Sequence, residues 1–245
     1  MSTTIKLNGV NLPGAHPNIS SFISALPAKG LQEYWLASEG VTTSGSDVTE
    51  WLGFTGTEAK PGVSPEFIAS LPETGLPGVD YNGSEALNTD YHLETGDCYV
   101  VMALRVDAKS NDPAVLGQRT GGSDKFLLGT EPHTGGVFRP SYGVGDMTIV
   151  QGVQDFDAGD VCVIGVHVSG SNASIRVNNA SLRTESFGGT FGAEGSAFNL
   201  GGDSTLPATM FNDTLAALAI YTGSLTTGEL SEIDKAMGAY VGLSL

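Results

Sequence analysis

Asp155-Phe-Asp157-Ala-Gly-Asp160 places three carboxylates within six residues, directly ahead of a β-branched run. Hard cations such as calcium take roughly six to eight oxygen ligands. Asp155, Asp157 and Asp160 are therefore the candidate calcium ligands, with Asp80, Asn82 and Asp203 as further oxygen donors. Acids clustered in a turn also form Asx turns, accepting from their own backbone. A second constellation lies in residues 117–145, where Arg119, His133, Phe138, Arg139 and Tyr142 are interspersed with glycines and strand alternation is weak. The stretch reads as a long loop, and loops of that length more often carry function than not. Its cations and rings suit a sugar or a neighbouring protein surface, which makes these five the candidate ligand-binding residues.

Glycoside hydrolysis requires paired carboxylates at a fixed separation. The single Glu-x-Asp, Glu232-Ile233-Asp234, is followed by Lys-Ala-Met with no third acid. It falls in a helical stretch, where residues two apart point in different directions, and reads as solvated helix surface. No Gly-x-Ser-x-Gly, His-Glu-x-x-His or phosphate-cradling glycine loop occurs, and His16, His92, His133 and His167 lack metal-ligand spacing. The expectation is a protein that is not an enzyme. Cys98 and Cys162 sit in apolar runs and read as buried free thiols. A disulfide between them would need neighbouring strands and an oxidising compartment.

The elements that must position these residues are strands. Apolar, β-branched runs at 99–106, 125–128, 147–150, 161–168, 174–177 and 215–221 are separated by Gly, Ser, Asn and Asp clusters. The 215–221 run is unbroken, as for a strand buried on both faces. After it, Thr226 and Glu229 have capping-box spacing. Leu230, Ile233, Met237 and Tyr240 then form one apolar helical stripe that must dock on the body. One repeat stands out: Phe22-Ile-x-x-Leu26-Pro-x-x-Gly-Leu recurs as Phe67-Ile-x-x-Leu71-Pro-x-x-Gly-Leu. Phe and Leu four apart share one side of a helical turn, and the proline forces an exit, so both copies read as one-turn plugs.

Six segments fall in the order shown by bacterial and phage domains of the concanavalin A-like lectin/glucanase (laminin G-like) class, which the chain resembles from about Leu31 onward. Tyr34-Trp35-Leu36-Ala37-Ser38 resembles the opening W-L-D-A strand, with Ser38 where an acid is usual. Asp80-Tyr81-Asn82-Gly83 resembles its F-[DN]-G turn, and residues 96–106 and Val115-Leu116-Gly117 the strand and L-L-G after it. Residues 172–179 resemble the class hairpin, Asn179 replacing a glycine, and Phe198-Asn199-Leu200-Gly201-Gly202 resembles F-x-I-G-G. The closing strand and capped helix match the class ending. The resemblance implies an all-β, two-sheet antiparallel jelly-roll sandwich with a short C-terminal helix. Lectins, adhesins, glycanases and structural modules share that fold, and calcium is a frequent ligand.

The expected organisation is an N-terminal arm or extra edge strand over residues 1–30 and one jelly-roll domain over 31–245. Lys plus Arg number 11 against 27 Asp plus Glu, a net charge of −16 produced by scarce bases. That excludes nucleic-acid and anionic-membrane partners, which need basic patches, and favours solubility at high copy number. The N-terminus carries no signal peptide pattern and no stretch is long and apolar enough to span a bilayer. The expectation is a structural or adhesive protein of a bacteriophage virion, made in the host cytoplasm, as a capsid decoration, fibre or tail-tip subunit. Its partners would be other virion proteins, copies of itself and surface glycans. The alternatives are a free calcium-dependent lectin and a divergent glycanase.

Overall fold

The computed structural model describes residues 22, 25–94, 96–107, 114–121, 124–133, 137–146, 150–152, 154–189, 191, 197–201 and 211–245. Residues 1–21, most of the expected arm, and Asp203 lie outside them. The first half of the chain forms β1 (Leu31–Leu36), β2 (Val41–Ser44), β3 (Asp47–Leu52), β4 (Glu58–Val63), β5 (Glu66–Ile68), β6 (Gly78–Asp80), β7 (Ala86–Thr89) and β8 (Cys98–Arg105). Four strands follow: β9 (Ala114–Gly121), β10 (Asp124–Pro132), β11 (Phe138–Val144) and β12 (Val150–Gln151). The chain closes with β13 (Val161–Ser169), β14 (Asn172–Val177), β15 (Ala180–Ser186), β16 (Thr214–Thr222) and helix α1 (Thr227–Tyr240).

The strands build two antiparallel sheets. The larger runs β15-β14-β13-β8-β16-β6-β5-β3-β4-β7, with β1 added beside β16 and β2 beside β3; the smaller runs β12-β11-β10-β9. Bridges from Leu87 to Leu200 and from Gly117 to Asn199 join the sheets along one margin. The result is a β-sandwich with one short C-terminal helix, the fold class that the sequence implies.

Its core has two compartments, because β8 and β16 are covered on both faces. Alternate residues of β8, Cys98, Val100, Met102 and Leu104, enter the inter-sheet core with Leu215, Leu218 and Ile220. Tyr99, Val101 and Ala103 face the opposite side, where Leu230, Ile233, Met237 and Tyr240 of α1 dock. Period-two burial against two partners explains why these strands read as continuous apolar runs. Trp35 and Trp51 are both fully buried in the inter-sheet core. Cys98 and Cys162 are free and buried, and burial pushes the Cys98 thiol up to about 12.

Two expectations are corrected. Within the stretch read as a long loop, residues 117–121, 124–132 and 138–144 belong to strands β9, β10 and β11, with Phe126 opposite Val144 and Tyr142 opposite Leu128. Phe126, Leu127, Leu128, Gly129 and Thr130 are all buried, so β10 extends past the 125–128 run with no alternation to show it. Gly117 is demanded by close approach: it has φ +144°, and a Cβ there would lie 2.0 Å from the Phe126 carbonyl oxygen. The Phe-Ile repeat also diverges. In the first copy Phe22 and Ala25 are helical, and Leu26 N–H donates to the Phe22 carbonyl at 3.1 Å. In the second, Phe67 and Ile68 are strand residues paired with Val79 and Gly78 of β6. An available strand edge overrides the local helical preference.

Candidate functional site

The structure disperses the sequence-selected ligand residues. Arg119 lies in β9 opposite Lys125. Phe138 and Tyr142 are not exposed contacts: both are buried in the inter-sheet core, because alternate residues of β11 point inward. Arg139, on the other phase of β11, pairs with Asp155. His133 closes the β10–β11 connection through a backbone bond from its N–H to the Val137 carbonyl at 2.8 Å. Asp160 reaches back three residues to accept from the Asp157 N–H at 2.9 Å, closing the turn ahead of β13. Among the described residues no three or more His, Cys, Asp or Glu side chains group as a metal ion requires. Asp155 is engaged by Arg139, and Asp160 by the Asp157 N–H.

Two polar assemblies appear that spacing alone did not reveal. The first ties the ends of β6, β8, β10 and β16. The Thr214 hydroxyl lies 2.6 Å from Asp107 Oδ2 and 2.8 Å from Asp80 Oδ1, and accepts from Arg105 Nη2 at 3.2 Å. Fully buried Asp213 accepts from the Asp107 N–H at 2.9 Å and the Thr130 hydroxyl at 2.6 Å. Each acid here satisfies a neighbouring strand, so the network reads as structural.

The second assembly corrects the reading of Glu232-Ile-Asp234 as solvated surface. Asp234 is 1 % exposed. Its Oδ2 accepts from Arg176 Nε and Nη2 of β14 at 3.0 and 2.7 Å, and its Oδ1 accepts from the Tyr99 hydroxyl of β8. Burial raises the Asp234 carboxyl, opposed by those two partners. Gly165 makes the approach possible, since a Cβ there would lie 2.4 Å from the Tyr99 hydroxyl. The helix is thereby bolted to two strands.

The arrangement best suited to contact a ligand is at the β3–β4 turn. Phe54 is 61 % exposed and Leu52 43 %, and with Val63 they are the exposed large apolar side chains among the described residues. The Phe54 ring stacks on Tyr34 of β1, centroids 4.6 Å apart and planes 16° from parallel. One face of Phe54 is thus seated on a buried ring and the other faces solvent.

The turn is held rigidly beneath it. Phe54 N–H donates to the Tyr34 carbonyl at 3.0 Å and Gly53 N–H to the Thr57 carbonyl at 2.8 Å. Buried Glu33 accepts from the Thr55 N–H at 3.0 Å, from the Tyr34 N–H at 2.9 Å and from the Thr55 hydroxyl. Gly53 has to be glycine: a Cβ would sit 2.8 Å from Glu33 Cδ and 2.9 Å from Trp35 Nε1. On the other flank, Leu52 N–H donates to the Gly40 carbonyl at 2.9 Å, which brings Glu39 alongside. Burial raises the Glu39 carboxyl. Burial, Glu39 and Glu33 together raise the Tyr34 phenol, whose hydroxyl is buried without a partner. Sequence reading passed over Phe54; the signal was a single aromatic inside the turn Gly53-Phe54-Thr55-Gly56.

No protein-family model matches the chain, and no curated protein matches it. Solved structures do. A mutant of Trypanosoma rangeli sialidase displaying trans-sialidase activity matches at 16 % identity and TM-score 0.61, over 89 % of this chain and 35 % of that one. The sialidase in complex with the inhibitor DANA matches at 14 % and 0.60, over 92 % and 36 %. Domain 4 of AbnA, a GH43 extracellular arabinanase from Geobacillus stearothermophilus, in complex with arabinotriose, matches at 12 % and 0.56, over 83 % and 98 %. The chain spans about a third of the sialidase's length and nearly all of the arabinanase domain.

These neighbours correct the expectation that the protein is not an enzyme, since they come from enzyme families. A missing catalytic motif excludes one arrangement of carboxylates and leaves other chemistries open. At such identities the likeness is one of fold: a β-sandwich consistent with the concanavalin A-like class, shared with domains of glycan-processing proteins.

Proposed function

We propose that this chain is a glycan-recognising β-sandwich module whose contact surface is the Phe54 ring carried on Tyr34. The observation that carries the reading is the exposed, stacked and rigidly held Phe54. An aromatic face bears partial negative charge, and the C–H-lined face of a sugar ring complements it. A preformed platform also avoids the entropy of ordering a loop on binding. Support comes from the arabinanase domain of the same fold, solved with arabinotriose.

The test is calorimetric titration and glycan-array binding of the wild type and Phe54→Ala. Wild type binds, and the variant loses at least about ten-fold in affinity, roughly 1.4 kcal/mol. Unchanged binding by a folded Phe54→Ala protein would remove the platform from the mechanism. Reducing-sugar release is assayed on the same glycans, because the fold is shared with enzymes.

A finer reading places the module on the outside of a bacteriophage particle, as a decoration, fibre or tail-tip subunit among copies of itself. Its support is compositional: 11 bases against 27 acids favour solubility at high copy number. Mass spectrometry of purified particles tests it, and absence of the chain from them refutes it.

A further inference from the structure

We infer that the Phe54 platform selects neutral saccharides and rejects sialylated or uronate-bearing ones; this rests on the glycan-recognition reading and adds the ligand class. The charges around the ring carry the argument. Glu33 lies beneath the turn, bonded to Thr55, the residue after Phe54. Glu39 flanks the turn through the Gly40–Leu52 backbone contact. The fields of both acids reach Tyr34, the ring on which Phe54 rests. On the hairpin that presents Phe54, Lys60 pairs with Glu58 and lies 3.7 Å from Glu50, so its one positive charge is already offset. The named groups are four carboxylates against one ammonium.

Partial burial of Glu39 matters for the same reason. A carboxylate drawn partly out of water is poorly screened, so a second negative charge brought near it is repelled more strongly than at an open surface. A sugar carboxylate stacked on Phe54 would meet this field with no cation of the hairpin left to receive it. A neutral ring meets no such penalty. The two kinds of fold neighbour are thereby separated: one was solved with arabinotriose and the others are sialidases. The charge pattern sides with the former ligand class.

The experiment is a printed array of paired glycans, each neutral member beside its sialylated or uronate-bearing counterpart, probed with wild type, Glu39→Gln and Phe54→Ala. The expected result is binding to neutral members with counterparts weaker by about ten-fold, the size of one or two weakly screened like-charge contacts. Glu39→Gln, which keeps shape and removes charge, narrows that gap. Equal or tighter binding of the charged counterparts overturns the selectivity while leaving glycan recognition intact. So does a gap that Glu39→Gln leaves unchanged. Binding of no glycan by folded wild type overturns the module reading, and this inference with it.

Discussion

Asp234 owes its burial to partners far away in the chain, since Arg176 lies 58 residues from it and Tyr99 135. Local periodicity places Asp234 on a helix; only the fold decides that this face of the helix meets an arginine. Removing one partner of a buried ion pair leaves the other charge uncompensated, which costs about 3–5 kcal/mol. Asp234→Ala should therefore lower the unfolding free energy in urea by about that amount. Exposed Glu232→Ala, two residues away, should stay within about 0.5 kcal/mol. Equal effects would return the Glu-x-Asp pair to the surface. Phe54 escaped notice for the same reason, because exposure and stacking on Tyr34 are properties of the β1–turn contact, absent from any local pattern.

At the level of elements, the legible parts were those with one dominant local signal. Helix α1 carries its stripe and its capping box as expected: Glu229 N–H donates to the Thr226 hydroxyl at 3.3 Å, and Glu229 accepts from the Thr226 N–H at 2.7 Å. Thr226→Ala should cost about 1 kcal/mol. The Glu229 carboxyl is held down to about 2 by Lys29 first and by Thr226 next. A depressed carboxyl stabilises above its unfolded value near 4.5, and that contribution fades as pH falls from there toward 2. Chemical denaturation across this window should show a smaller pH dependence for Glu229→Gln than for wild type. Of β9–β11 only the 125–128 run was legible, because Gly117, Gly129 and Pro140 sit inside these strands and residues 125–130 of β10 are buried on both faces. A strand without alternation and with loop residues has the composition of a loop.

The whole molecule carries −16 from 11 bases and 27 acids. Like charges at that excess repel across the folded surface more than across an expanded chain, and salt screens them over about 10 Å at 0.1 M. The melting temperature should rise as sodium chloride goes from about 0.01 to about 0.5 M; a fall would mean that ion pairs such as Lys29–Glu229 outweigh the net repulsion.

Strand β16 is bonded along one edge to β8, and its other edge is divided between β6 and β1 around an irregularity at Ala216. Three strands from distant parts of the sequence therefore converge on one that is translated after all of them. Until it emerges, β1 lacks its neighbour and one edge of β8 stays unpaired. Such a topology has high contact order, so closure is slow and late, and earlier portions of the chain wait as sticky, unpaired edges. The protein's window of greatest vulnerability to aggregation lies on the ribosome, and shortening the interval before β16 arrives should raise the yield of folded product.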